Sequence, residues 1–197
     1  MPTSTPRTLI SLGAVAWIVV GGYGAWEIVA EDSGEDWEIP YAIFSIALLL
    51  GTLLTVAAVW IASRHSARSS MRMVGLGVCG VAVVSTVAAW ALPLWMTLSA
   101  VGYALIAAAG VPPWRRAVAL LSAAQGLGMA ALFLGIAGEV GRQDEYGDHP
   151  VAFGIGTLAT AFATVFALVQ LDRRFDADAD ADADAVVVRS QSSDVTM

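Results

Sequence analysis

The chain has no lysine, one cysteine and two histidines, and only 14% of its 197 residues are charged. Each shortage excludes something. A soluble domain usually carries about 25% charged residues, so an ordinary water-soluble globule is ruled out. The lone Cys79 excludes an internal disulfide and any CxxC redox or zinc site. Without lysine there can be no phosphate-cradling GxxxxGK[ST] loop, and neither HExxH nor GxSxG occurs. His65 and His149 fall in segments that the charge pattern places on opposite sides of a bilayer, so they cannot share a haem or a metal. No catalytic constellation, metal site or cofactor is therefore expected. The formal charge of -7 speaks against nucleic acid as a partner.

What is present is hydrocarbon. Apolar residues make up 57% of the chain, and mean hydropathy is +0.71. About 20 apolar residues suffice to cross about 30 Å of hydrocarbon. The charges leave uncharged runs of 19 residues between Arg7 and Glu27, 25 between Glu38 and Arg64, and 42 between Arg72 and Arg115. Two more follow, 22 between Arg116 and Glu139 and 23 between Asp148 and Asp172. The 42-residue run suits two spans. Pro93 lies near its middle between Trp90 and Trp95, which predicts a tight turn at Ala91 to Leu94. The runs are continuous rather than alternating, and open strands cannot span lipid, so the spans are helices. The expectation is an all-α, polytopic integral membrane protein. Its six transmembrane helices are predicted at about 8–30, 40–62, 73–92, 94–112, 117–139 and 151–171, in three hairpins. No cleaved leader fits, because the first apolar stretch is too long for a signal core.

Orientation follows from arginine. Arg7, then Arg64, Arg68 and Arg72, then Arg115 and Arg116, then Arg173 and Arg174 fall on one side; the opposite loops hold only Arg142. The positive-inside rule then puts both termini in the cytoplasm of a cell spanned at its plasma membrane. The same arginines are expected to touch lipid headgroups. Basic residues that are all arginine, with abundant Ala, Val and Gly, fit GC-rich prokaryotic coding. Trp26, Trp37, Trp90 and Trp95 fall near the outer boundary and Trp60 and Trp114 near the inner one, as in aromatic belts. Trp17 alone sits near mid-span. Residues 173–197, with Asp and Ala alternating over 176–185, read as a disordered acidic cytoplasmic tail.

The polar residues inside the spans are few. Gly13, Trp17, Gly21, Gly24 and Glu27 share a face of helix 1. Ser122, Gln125, Met129, Phe133 and Glu139 do so more loosely on helix 5. Glu27, Gln125 and Glu139 are thus candidates for a transport path, with the two carboxylates flanking an outward vestibule and Gln125 below. The alternative is that both carboxylates reach outer water and that Gln125 bonds a neighbouring helix. Thr157, Thr160 and Thr164, with Ser99, Gly102 and Ala109 on a face that Ile106 interrupts, read as packing positions, with pore lining as the alternative. Asp144, Glu145, Asp148 and His149 form an outer acidic cluster that could attract a cation or simply be solvated. Two function classes follow: a non-enzymatic membrane component such as a scaffold or accessory subunit, or a small transporter or channel protomer for a cation or small solute. The expected partners are the lipid bilayer and either further copies of the chain or another membrane protein.

Overall fold

The computed structural model describes the backbone of residues 4–33, 41–64, 69–86, 92–110, 112–140 and 150–194. Side chains are described for 7–29, 42–64, 69–86, 94–110, 114–136 and 151–174. Among these residues the structure is all helical, without a strand. Its six helices are α1 (Ser4–Ser33), α2 (Tyr41–Ser63), α3 (Ser70–Ser85), α4 (Leu92–Ala109), α5 (Pro112–Val140) and α6 (Pro150–Asp194). Helices satisfy their own backbone groups, as an apolar solvent demands. Four stretches are long and apolar enough to cross a membrane: Arg7–Val29, Ala42–Ser63, Trp114–Ile136 and Val151–Arg174. Two shorter apolar helices, Ser70–Ser85 and Leu94–Ala109, lie between them in sequence.

The observed helix ends differ most from the predicted ones at the end of α3, the start of α5 and the end of α6. Helix α3 begins where the Ser69 hydroxyl accepts the Arg72 N–H at 3.1 Å. It ends at Ser85 rather than near 92, because Ser85 and Thr86 turn their hydroxyls onto the carbonyls of Ala82 and Val83. Of the turn expected at Ala91 to Leu94, Leu92, Pro93 and Leu94 are helical, since α4 starts at Leu92; Ala91 lies outside the described residues. Pro93 sits in the first turn of α4, where a missing N–H loses no hydrogen bond. Proline thus marks a helix start here rather than a loop. At 16 residues α3 is about 24 Å long. Helix α6 continues through the Asp-Ala repeat to Asp194. Alanine at every second position is the strongest helix former, although aspartates four apart repel. The apolar part of α6 ends at Arg174.

Contacts fix the arrangement. Trp17 meets Gly51 and Thr55, while Tyr23 meets Phe44, so α1 and α2 run antiparallel. Gly75 faces Ile106 and Gly102 faces Cys79, which pairs α3 with α4 in the same sense. Ser122 bonds Ala100 and Gly128 faces Met96, which does so for α4 and α5. Gln125 meets Thr164 and Gly135 meets Ala152, joining α5 to α6. Finally Gly21 meets Ala161 and Gly24 meets Gly154, so α6 returns antiparallel to α1. The helices alternate in direction around a ring, with α6 closing it between α5 and α1; the seam between α2 and α3 is the lightest.

The surface is inverted relative to a soluble protein. Phe162 is 77% exposed, Leu134 75% and Val84 71%, while Thr52, Thr55, Ser99, Gln125, Thr157, Thr160 and Thr164 are buried. Large apolar side chains outside and hydroxyls inside fit a protein embedded in lipid.

Glycine lets the helices approach this closely. A Cβ at Gly24 would lie 2.8 Å from the Gly154 carbonyl oxygen, and one at Gly75 2.8 Å from that of Gly102. Two pairs of helices thus touch backbone to backbone, where dispersion and packing are strongest.

Candidate functional site: a polar layer inside the bundle

The interior is built around Trp17, which is 1% exposed. Gly51 opens a notch for it on α2: a Cβ there would stand 3.3 Å from the indole. The indole N–H donates to Thr55 Oγ1 at 3.0 Å, and that hydroxyl donates onward to the Gly51 carbonyl at 2.7 Å. One threonine therefore serves as acceptor and donor at once, and each bond polarises the next. On the other face the Trp17 ring lies 5.8 Å from that of Trp95, tilted by 33°. Trp95 was expected in the outer aromatic belt. It is instead 2% exposed and turned inward, because its position one turn into α4 directs it at Trp17.

Further polar groups lie near the same depth. Gln125 Nε2 donates to Thr164 Oγ1 at 3.2 Å and ties α5 to α6. Thr160, one turn away on α6, bonds back to Gly156 at 2.7 Å. Ser122 Oγ reaches the Ala100 carbonyl at 2.8 Å and ties α5 to α4. Toward the end opposite the arginines, aromatic rings fill the space. Tyr23 stacks on Phe44 at 4.6 Å, and Phe44 meets Phe153 edge-on at 5.4 Å. Trp26 sits beside Tyr23 at 5.4 Å.

The candidate transport residues are distributed as follows. Gln125 is buried at 1% exposure on the inner face of α5. Glu27 is half-buried on α1, where Gly154 of α6 passes close to its Cβ. Glu139 lies on α5, its side chain outside the described residues. Since α6 stands between α1 and α5, the two glutamates are carried by helices on either side of it. Asp144, Glu145, Asp148 and His149 lie outside the described residues, as does Arg68. Among the described residues no group of three or more His, Cys, Asp or Glu could hold a metal.

The other arginines gather at one end. Alternation of direction brings the start of α1 and α5 together with the end of α2 and α6. Arg7, Arg64, Arg115, Arg116, Arg173 and Arg174 are all exposed there. Arg64 stacks its guanidinium 3.9 Å above the Trp60 ring. Arg72 behaves differently: it is buried, and its Nη1 donates to the Ser63 carbonyl at 2.6 Å. It thereby satisfies a carbonyl left open at the end of α2 and turns a cation toward the negative end of that helix. Its guanidinium is packed against the end of α2.

Sequence reasoning missed the Thr55 partner of Trp17 and the inward turn of Trp95. The i, i+4 pairing of Gly51 with Thr55, a notch beside a hydroxyl, was the available signal. No family model, curated protein or solved structure matches this chain.

Proposed function

We propose that the chain is a six-span membrane component, N-in and C-in in the plasma membrane, serving as a non-enzymatic scaffold or accessory subunit. Its partners are the bilayer and either further copies of itself or another membrane protein. The observation that carries this reading is Gln125. The deepest polar side chain of α5 is buried and bonded to Thr164, as a strut between helices would be. Trp17 against Trp95, and the Tyr23–Phe44–Phe153 stack, occupy the interior that a solute path would need. The exposed arginines gathered at one end support the inward placement of both termini.

The test is accessibility from outside. Single cysteines replace Glu27, Gln125 and Glu139 in a Cys79→Ala background, in native-like membrane, and meet a membrane-impermeant thiol reagent. Positions 27 and 139 are expected to label while 125 stays unlabelled. Labelling at 125 would mean that water reaches mid-bundle, and a transporter or channel role would replace the scaffold.

A further inference from the structure

The same layer contains polar atoms that the protein leaves unmatched. Trp95 Nε1, Ser99 Oγ and Gln125 Oε1 are buried and find no hydrogen-bond partner among the described residues. Trp95 and Ser99 are 2% exposed and Gln125 1%. An unmatched donor or acceptor in the interior costs about 1–3 kcal/mol, so three in one layer need an explanation.

Their placement supplies one. Trp95 and Ser99 stand one turn apart on α4, four residues in sequence, and therefore on one face. Ser122 pairs with Ala100 and Gly128 with Met96, so Gln125 enters from α5 at the depth of residues 96–100. Gln125 also lies between the flank of α5 that meets α4, at Ser122, and the flank that meets α6, at Gly128. Gln125 therefore sits on the buried arc of α5, at the depth of Trp95 and Ser99. The three groups are chemically complementary. Trp95 offers an N–H and nothing else, Gln125 Oε1 only accepts, and the serine hydroxyl does both. None of them is ionisable.

We infer that this layer binds water, as a permanent guest held between Trp95 Nε1, Ser99 Oγ and Gln125 Oε1. A water molecule accepts the indole N–H and donates one hydrogen to the Gln125 oxygen. Its remaining hydrogen goes to the serine hydroxyl. That gives it three partners, the usual number for a buried water. The neutrality of the lining selects an uncharged guest over an ion, since a desolvated ion would meet no counter-charge. Water links α4 to α5 in the way that Gln125 itself links α5 to α6. The inference is independent of whether the protein acts as a scaffold, because an enclosed water needs no path to bulk solvent.

The experiment is water-to-protein polarisation transfer by solid-state NMR. Full-length chain with 15N-labelled tryptophan is placed in lipid bilayers, and Trp17→Phe and Trp95→Phe variants assign the two interior indoles. Trp17 is the internal control, for its N–H already has Thr55 as partner. Transfer to the Trp95 indole is expected to build up several times faster than transfer to Trp17. In Gln125→Met and Ser99→Ala it should fall at least twofold, with the Trp17 resonance unmoved as proof of fold. Equal and slow build-up at Trp95 and Trp17 in the unmodified chain would overturn the inference, whatever the variants do. So would fast build-up at Trp95 that both variants leave unchanged, which would mean bulk water rather than a held guest.

Discussion

Replacing Gly128 by alanine is expected to destabilise the folded bundle by about 3 kcal/mol, the upper end of what overpacking usually costs. The methyl group has nowhere to go. It would collide with Thr160 Oγ1, and it would also stand 2.5 Å from Met96 Cε and 2.8 Å from Thr160 Cβ. Methionine is flexible and can withdraw. Thr160 cannot escape by rotating, since its Cβ is itself too close and its hydroxyl is engaged with the Gly156 carbonyl. The clash therefore pushes α5 away from α6 at the level where Gln125 and Thr164 bond. Equilibrium unfolding in mixed lipid–detergent micelles reads the loss. Adding Thr160→Ala should return part of the stability, because it removes the oxygen but not the Cβ. An alanine at 128 without effect would show that α5 and α6 do not pack at this register.

The second large effect is at Trp17. Trp17→Ala is expected to cost about 3–5 kcal/mol, the range for emptying a large aromatic site. The indole fills the Gly51 notch on one side and touches Trp95 on the other, and neither wall can close over the gap. Trp17→Phe should cost less, about 1–3 kcal/mol, for it loses the hydrogen bond and leaves part of the Gly51 notch unfilled. Thr55 is not orphaned by that change, because its hydroxyl still donates to Gly51. Thr55→Val should cost about 1–3 kcal/mol, for it leaves the indole N–H buried and unmatched. A larger loss for alanine at 17 than for either phenylalanine at 17 or valine at 55 is the diagnostic result. It is read from unfolding midpoints of the three variants. If phenylalanine at 17 were as damaging as alanine, the hydrogen bond rather than packing would dominate this site.

These two positions show where sequence reasoning stopped. The helical class was legible because charge interrupts the apolar runs at nearly every helix end. The boundaries of α3 and α4 were not, because Pro93 fits both a turn and the first turn of a helix. The hydroxyls of Ser85 and Thr86, which close α3, look like ordinary span residues in sequence. Gln125 stood out by its depth, but its partner Thr164 is 39 residues away. Which residue it meets depends on the rotation of α5 against α6, and that is set by Gly128, Gly135 and Gly156 meeting their neighbours. Trp95 was read as a belt residue because a tryptophan beside a proline at a span end usually is one. Its burial depends on Trp17, one hairpin away. Arg72 shared the spacing of its exposed neighbours, and only the capping of α3 by Ser69 turns it onto Ser63.

The central claim is that all six helices cross the bilayer, including the shorter α3 and α4, with both termini inside. The most direct measurement places one cysteine at Ala89, between α3 and α4, and in a second variant one at Ser66, between α2 and α3, each in a Cys79→Ala background. Intact cells are treated with an impermeant thiol reagent before and after permeabilisation. The account predicts that position 89 labels from outside and that position 66 labels only once the membrane is opened. A position 89 that stays protected until permeabilisation would contradict it, leaving four crossing helices with α3 and α4 confined to the inner side.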